Sequence, residues 1–182
     1  MAFTISEITS QLRYGGARPT LFRVDIDSPF DRELARIAPF HIEASSLPGS
    51  TVNPIEVPYF GRRIRVAGDR TFDPWTVTVR NDEDFRVRHA LESWHNRINS
   101  LQGNLNTTGS AETSNYKTQA DIHQFSKIGG SPIRTIRFYG MFPTEISPID
   151  VNWGDTDSIE MFQVTFSYDW YEVVGGTTGT IR

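Results

Sequence analysis

The chain contains no cysteine, which excludes disulfides, thiolate metal sites and thiol nucleophiles. It has no long apolar run. None approaches the roughly 20 residues that a helix needs to cross a bilayer, so no membrane association is expected. The first residues lack a basic region followed by an apolar stretch, so a secretory signal is not expected. The lack of cysteine fits assembly in a reducing cytoplasm. Histidine is scarce. His41, His89, His95 and His123 form no His-x-His or His-Glu-x-x-His pattern. Gly129-Gly130 and Gly175-Gly176 lack the flanking spacing of phosphate-binding loops and read as turns. Asp155-Thr156-Asp157 before Glu160 matches half a calcium loop, without its third ligand or its glycine. An Asp-rich turn leading into a strand explains it better. There is no Gly-x-Ser-x-Gly elbow and no pair of carboxylates placed for acid–base work. No catalytic residue, cofactor or metal is therefore expected, and an enzyme is the least favoured class.

What remains is a globular composition. Hydrophobic residues make up 37% and aromatic residues 12% of 182 positions, enough for one domain with a real core. The net charge is −4, and its distribution says more. Between Glu145 and Glu172 stand Asp150, Asp155, Asp157, Glu160 and Asp169, with no Lys or Arg in the interval. Such a field repels phosphate backbones. It reads either as solvated strands and loops or as a surface past which DNA slides. The only basic cluster is Arg62, Arg63 and Arg65. Arg63 and Arg65 share the wet face of their strand, suited either to DNA or to a neighbouring subunit's acidic strand.

Periodicity lays out the elements. Ile5, Ile8 and Leu12 predict a short amphipathic helix over 4–13, ended by Gly15-Gly16. Phe22, Val24 and Ile26 alternate with charged residues and predict a strand at 20–27. Phe40, Ile42 and Ala44 predict a second at 38–45. Pro48-Gly49, Pro54 and Pro58 make 47–58 a loop. Val87, Leu91, Trp94, Ile98 and Leu101 form one helical stripe over 82–101, with Asn81 or Asp82 as cap and Gly103 as stop. Residues 103–118 contain almost nothing apolar and read as a polar loop. Strands follow at 120–127 and 133–140, then a proline-punctuated segment at 142–151. A last strand is predicted over 158–171, with Phe162, Val164, Phe166, Tyr168 and Trp170 on one face. The expectation is six or seven strands, one substantial helix, and an arm over 1–16. The main domain covers 17–173, followed by a flexible tail over 174–182. Open edges in such a sheet call for a partner.

The most specific stretch is Gly61 to Asp82, GRRIRVAGDRTFDPWTVTVRND. Ile64 and Val66, then Trp75, Val77 and Val79, alternate with polar residues, so it reads as two strands joined by a tight turn at AGDRTF. It resembles the tail tube proteins of contractile-tailed, T-even-like bacteriophages. Ala17-Arg18-Pro19-Thr20-Leu21-Phe22-Arg23-Val24, Ala44-Ser45-Ser46-Leu47-Pro48-Gly49 and Phe162 to Trp170 extend the likeness to residues 17–172. The resemblance implies a mainly β structural virion protein, a small antiparallel barrel or sandwich with the helix packed outside. It implies homo-hexameric rings that stack into a self-polymer, the inner tail tube, for DNA ejection. Sheath, baseplate and tail terminator proteins, with a tape measure protein and DNA in the lumen, are the implied partners.

Site expectations follow. Leu47, Val52, Ile55 and Val57, apolar on a proline-rich loop, are expected to contact the next ring. Asp69 and Arg70 read equally as a turn lock or as an inter-subunit ion pair. The lumen candidates are Thr76, Thr78 and Arg80, or the wet face of 160–169 with Glu160 and Asp169. Related readings are a baseplate tube-initiator ring, or the tube of a type VI secretion system or tailocin. A different class is a monomeric ligand-binding barrel of lipocalin type.

Overall fold

The computed structural model describes residues 5–12, 16–106, 115–176 and 180. The elements in chain order are α1 (Ile5–Gln11), β1 (Phe22–Ile26), α2 (Arg32–His41), β2 (Ile42–Ser45), β3 (Ser50–Tyr59) and β4 (Arg62–Phe72). Then come β5 (Trp75–Arg80), α3 (Arg86–Ile98), β6 (Thr118–Gln124), β7 (Arg134–Ile146), β8 (Met161–Ser167) and β9 (Trp170–Gly175). Seven strands join in one antiparallel sheet in the order β1-β6-β7-β8-β5-β2, with β9 also paired to β7.

β7 shapes the sheet. Its first half runs between β6 and β9, and its second half pairs with β8. The change of layer falls near Gly140, which has a left-handed φ of 66°. A Cβ there would overlap the Asp169 carboxylate, so the corner requires glycine. The result is sandwich-like: β1, β2 and their neighbours face each other, and β1 and β2 approach without pairing.

Aromatic rings join the two layers. Trp75 of β5 stacks on Phe138 of β7 at 4.6 Å, and Phe138 meets Tyr168 edge-on at 4.8 Å. Such pairs add to the area they bury. The Trp75 indole Nε1 donates to the Ser46 carbonyl at 3.0 Å, which leaves no unsatisfied donor at its rim. The helices fill one side of the same core. Leu34, Ile37 and Ala38 of α2, and Val87, Ala90, Leu91 and Trp94 of α3, are all buried. In α3 the apolar stripe holds through Ile98, whereas Leu101 lies beyond the helix and is exposed. The helix starts later than expected, at Arg86, with Phe85 and not Asn81 or Asp82 at the cap position; Asp82 still accepts from the Arg86 backbone N at 3.1 Å. Partial burial pushes the Asp82 carboxyl up, but the Arg86 hydrogen bonds outweigh it and hold it below its ordinary range. The α1 stripe of Ile5, Ile8 and Leu12 is exposed.

Several expectations are corrected. Residues 32–41 are helical, so the strand expected at 38–45 begins only at Ile42, and Phe40 is exposed. Asp31 accepts from Glu33 N at 2.8 Å and caps that helix, and Pro39 falls in its last turn, where it removes the bond to the Ala35 carbonyl and the helix ends two residues later. The loop expected at 47–58 is mostly strand β3, and AGDRTF is not a turn but the far end of β4. β4 therefore pairs with β3 and not with β5, and the chain turns at Asp73-Pro74. The segment expected at 142–151 begins as the second half of β7. The strand expected over 158–171 breaks at Tyr168-Asp169 into β8 and β9, which pair with different halves of β7. Trp170 consequently leaves the core face and stacks outside on Tyr139 at 4.0 Å. Nine strands and three helices stand among the described residues, against six or seven strands and one substantial helix expected. Parts of the polar loop at 103–118 and of the tail lie outside the described residues.

Tyr168 carries a buried hydroxyl with no hydrogen-bond partner among the described residues. Burial, with Tyr171 and Asp73 nearby, pushes its ionisation up to about 12. A buried orphan hydroxyl costs about 1–3 kcal/mol, so Tyr168→Phe is expected to stabilise the subunit by about 1 kcal/mol in urea denaturation. The raised folded value means the native chain gains by keeping this phenol neutral. That gain is whole below pH ~10, the unfolded value, and is lost as pH rises through about 12. The Phe variant should lose less stability across that window, and an equal loss would show that Tyr168 is not the titrating group.

Candidate functional site: the assembly surfaces

The β3–β4 hairpin stands apart from the sandwich as a two-stranded ribbon. Its register places Ile55 opposite Val66, Val57 opposite Ile64, and Tyr59 opposite Arg62. Directly opposed residues share a face, so Ile55, Val57, Tyr59, Ile64 and Val66 form one apolar face. All five are roughly half exposed. The other face carries Pro54, Glu56, Pro58, Arg63 and Arg65. Arg63 and Arg65 converge on Glu56 at 2.8 and 3.4 Å. A register shift between Val52 and Pro54 accommodates Gly68, where a Cβ would press on the Asn53 carbonyl.

The tip breaks two local rules. Phe60 and Gly61 both have positive φ, 46° and 75°, which gives the two-residue turn favoured by the twist of a hairpin. Such turns prefer Asn-Gly or Gly-Gly, and an aromatic residue in this region is strained. Phe60 is also 92% exposed. A strained, exposed aromatic ring at the end of a ribbon suits a surface that is covered in use.

The expected contact residues are thereby divided. Ile55 and Val57 lie on the apolar face, and Val52 lies below the register shift opposite Arg70. Leu47 lies elsewhere, lining a cleft of about 150 Å³ with Pro19, Phe22 and Ile122 at the seam between β1 and β2. Asp69 and Arg70 are in strand β4, so a turn lock is not their role. Neither has an ion-pair partner among the described residues.

The lumen candidates come together better than sequence allowed. β5 pairs with β8 so that Thr76 opposes Thr165 and Thr78 opposes Gln163. The first alternative and the middle of the second, Gln163 and Thr165, are thus one face. The Thr76 and Thr165 hydroxyls lie 3.3 Å apart, and the row is uncharged until Arg80, which Glu43 neutralises at 3.1 Å. Glu160 flanks the row and accepts from Asn81 Nδ2 at 3.0 Å. Asp169 does not join it. It sits at the Gly140 corner, held by Lys117 Nζ at 2.8 Å.

The outer face of β1-β6-β7-β9 is the opposite in character. Arg137 makes a two-pronged pair with Asp121 at 2.7 Å, which raises its ionisation further. Asp25 accepts from Arg23 at 2.8 Å and lies 3.3 Å from His123 Nε2. Tyr139 donates to Glu172 at 2.5 Å, and that bond raises its hydroxyl. Two other histidines meet backbone carbonyls: His95 Nε2 lies 3.0 Å from that of Pro143 and His41 Nδ1 3.2 Å from that of Arg80.

An isolated sandwich with a long exposed ribbon, bordered by open strands, is a shape with few uses as a monomer. The phage tail tube protein family model matches residues 8–174. The chain belongs to the phage tail tube protein family. The tail tube protein gp19 of Enterobacteria phage T4 is 34% identical over 169 residues, covering 92% of this chain and 99% of that protein. Its counterpart in phage T6 is 33% identical over the same length. Among solved structures, a chain of the anti-feeding prophage baseplate aligns with TM-score 0.62 at 12% identity, covering 87% of this chain and 95% of the other. A chain of an extracellular contractile injection system sheath–tube complex aligns with TM-score 0.54 at 16% identity, covering 93% and 97%. These two share the fold. This tail tube protein is a structural component of a contractile phage-like tail, and its relatives are structural proteins and not enzymes.

Phe60→Asn should relieve the backbone strain at the hairpin tip while deleting the exposed ring. The dissociated subunit is expected to melt at the same or a slightly higher temperature, by about 1 kcal/mol of relief at most. Self-association, followed by sedimentation, should weaken. Unchanged association would remove the tip from the interface.

Proposed function

We propose that this tail tube protein closes edge to edge into hexameric rings, and that the rings stack into the inner tube of a contractile tail through which DNA is ejected. The observation that carries this reading is the set of open borders. β1, β2 and β9 each have a ladder partner on one side only among the described residues. An unpaired border is a template for another strand, and a closed ring leaves none free. The number six draws support from the baseplate neighbour, whose structure is six-fold symmetrised. Sheath, baseplate and terminator proteins are the proposed partners outside and at the ends, and a tape measure protein and DNA the proposed contents. Rings assemble in the host cytoplasm before becoming part of the virion.

The uncharged outer face of β5 and β8 is the proposed lumen wall. Its hydroxyl and amide groups exchange hydrogen bonds with water as a phosphate backbone passes, and they hold no net charge to arrest it. Attraction of duplex DNA grows with each added cation because each releases condensed counterions. Thr78→Lys with Gln163→Lys should therefore slow DNA ejection measured on assembled tails, and an unaltered rate would take this face off the channel.

The purified chain should form hollow filaments seen by negative-stain microscopy. Rings that never lengthen would assign it to tube initiation, and a monomer at high concentration would overturn the reading. Backbone amides of β1, β2 and β9 should exchange quickly in dissociated chains and slowly in filaments.

A further inference from the structure

The tube reading leaves open how one ring grips the next, and two unexplained surfaces answer each other. The first is the hairpin. It carries Arg62, Arg63, Arg65 and Arg70 against Glu56 and Asp69, so it is basic as well as apolar. Arg62 shares the apolar face beside Tyr59, and neither it nor Arg70 has an ion-pair partner among the described residues.

The second is the segment from Ser147 to Met161. Trp153 is fully exposed and Val151 nearly so, with Ile159 and Met161 half exposed beside them. Around them stand Asp150, Asp155, Asp157 and Glu160, with no Lys or Arg in the segment. None of these carboxylates has an ion pair among the described residues. A cleft of about 360 Å³ opens here, lined by Ile149, Asp150, Asp155, Ile159 and Glu160 among others. The segment is anchored at its base, where Ser147 N donates to the Gln163 carbonyl at 2.8 Å and Arg88 Nη1 to the Ser147 carbonyl at 3.2 Å. It is therefore a positioned apolar patch with an acidic rim.

Their places in the fold complete the match. The hairpin leaves β2 and enters β5 at the Ser45 and Trp75 end. The acidic segment enters β8 at Met161, which opposes Arg80 at the far end of β5. Six residues of strand put about 20 Å between the two ends. A contact between different patches at opposite ends of one subunit repeats head to tail and propagates without limit. Contact between like patches would stop at two rings.

We propose that the basic, apolar β3–β4 hairpin of one copy seats on the acidic, Trp153-bearing 147–161 segment of a copy in the adjacent ring. The inference rests on the tube reading and names the two sides of its longitudinal joint. Arg62, near the tip on the apolar face, faces Asp155 and Asp157 across it, and the hairpin's apolar face covers Trp153, Val151 and Ile159. Opposite charges fix the register while the apolar residues leave water.

The test is charge exchange. Arg62→Glu should abolish filaments, and so should Asp155→Lys with Asp157→Lys. All are exposed positions, and unchanged circular dichroism and melting would show that each variant folds. The variant with all three changes, or an equal mixture of the single and the double variant, should recover filaments to at least half the wild-type yield. A second measurement uses the absence of native thiols. Arg62→Cys with Asp155→Cys, treated with a short bismaleimide linker, should give a ladder of covalent multimers from assembled material, and either single cysteine should give none. Wild-type filaments with no charge rescue and no ladder would overturn this joint and leave the tube standing. A wild-type chain that never forms filaments would overturn both.

Discussion

The amide and carbonyl groups along the border of a β-sheet are satisfied by water or by another strand, and by little else. In this protein that constraint falls on β1, β2 and β9, which frame a sandwich that nearly closes and does not. β1 and β2 come together without hydrogen bonding, and the corner of β7 at Gly140 separates the layers instead of rolling them into one barrel. The core itself is complete, with Trp75, Phe138 and Phe166 fully buried across the layers. The interior is thus finished within one chain while the borders are not. A subunit with a finished core and open borders is suited to association by its edges.

The surfaces follow the same division. The outer face of β1-β6-β7-β9 spends its charges internally, through Arg137 with Asp121 and Arg23 with Asp25. The outer face of β5 and β8 carries almost no charge. The hairpin and the 147–161 segment do neither: each shows apolar side chains to water beside charges, Arg62 and Arg70 in one and Asp155 and Asp157 in the other, with no ion-pair partner among the described residues. Satisfied faces suit a wall, and unsatisfied ones suit a joint.

Much of this was legible in the sequence, for physical reasons that also mark where it stopped. Val77, Val79, Phe162, Val164 and Phe166 alternate because each strand has one buried face, and their strands were readable directly. The α3 stripe was readable for the same reason. The hairpin was not, because Pro54 and Pro58 argue against a strand, and only in a two-stranded ribbon with free outer edges can their missing N–H groups go unused. Gly68-Asp69 read as a turn when it is a register shift within β4. Pro39 hid α2, although Leu34, Ile37 and Ala38 had helical spacing. Unbroken alternation from Phe162 to Trp170 concealed the corner at Tyr168-Asp169, since a strand that changes partners keeps its period. That Thr76 and Thr78 share one face with Gln163 and Thr165 was not legible, because it depends on the β5–β8 register. Trp153 carried no signal, because exposure is a property of the fold and not of the residue.

The hairpin also has a mechanical side. Both of its strands return to the sandwich at one end, through Ser45 of β2 and Trp75 of β5, which are neighbouring strands of one ladder. A pull on its tip along the tube axis loads β3 and β4 in parallel and passes as shear into the β2–β5–β8 ladder. Bonds in shear share a load, whereas bonds peeled from an end break in turn. In the proposed filament such straps would be stiff under tension and store little stretch, so a pull at one end would pass along it as displacement.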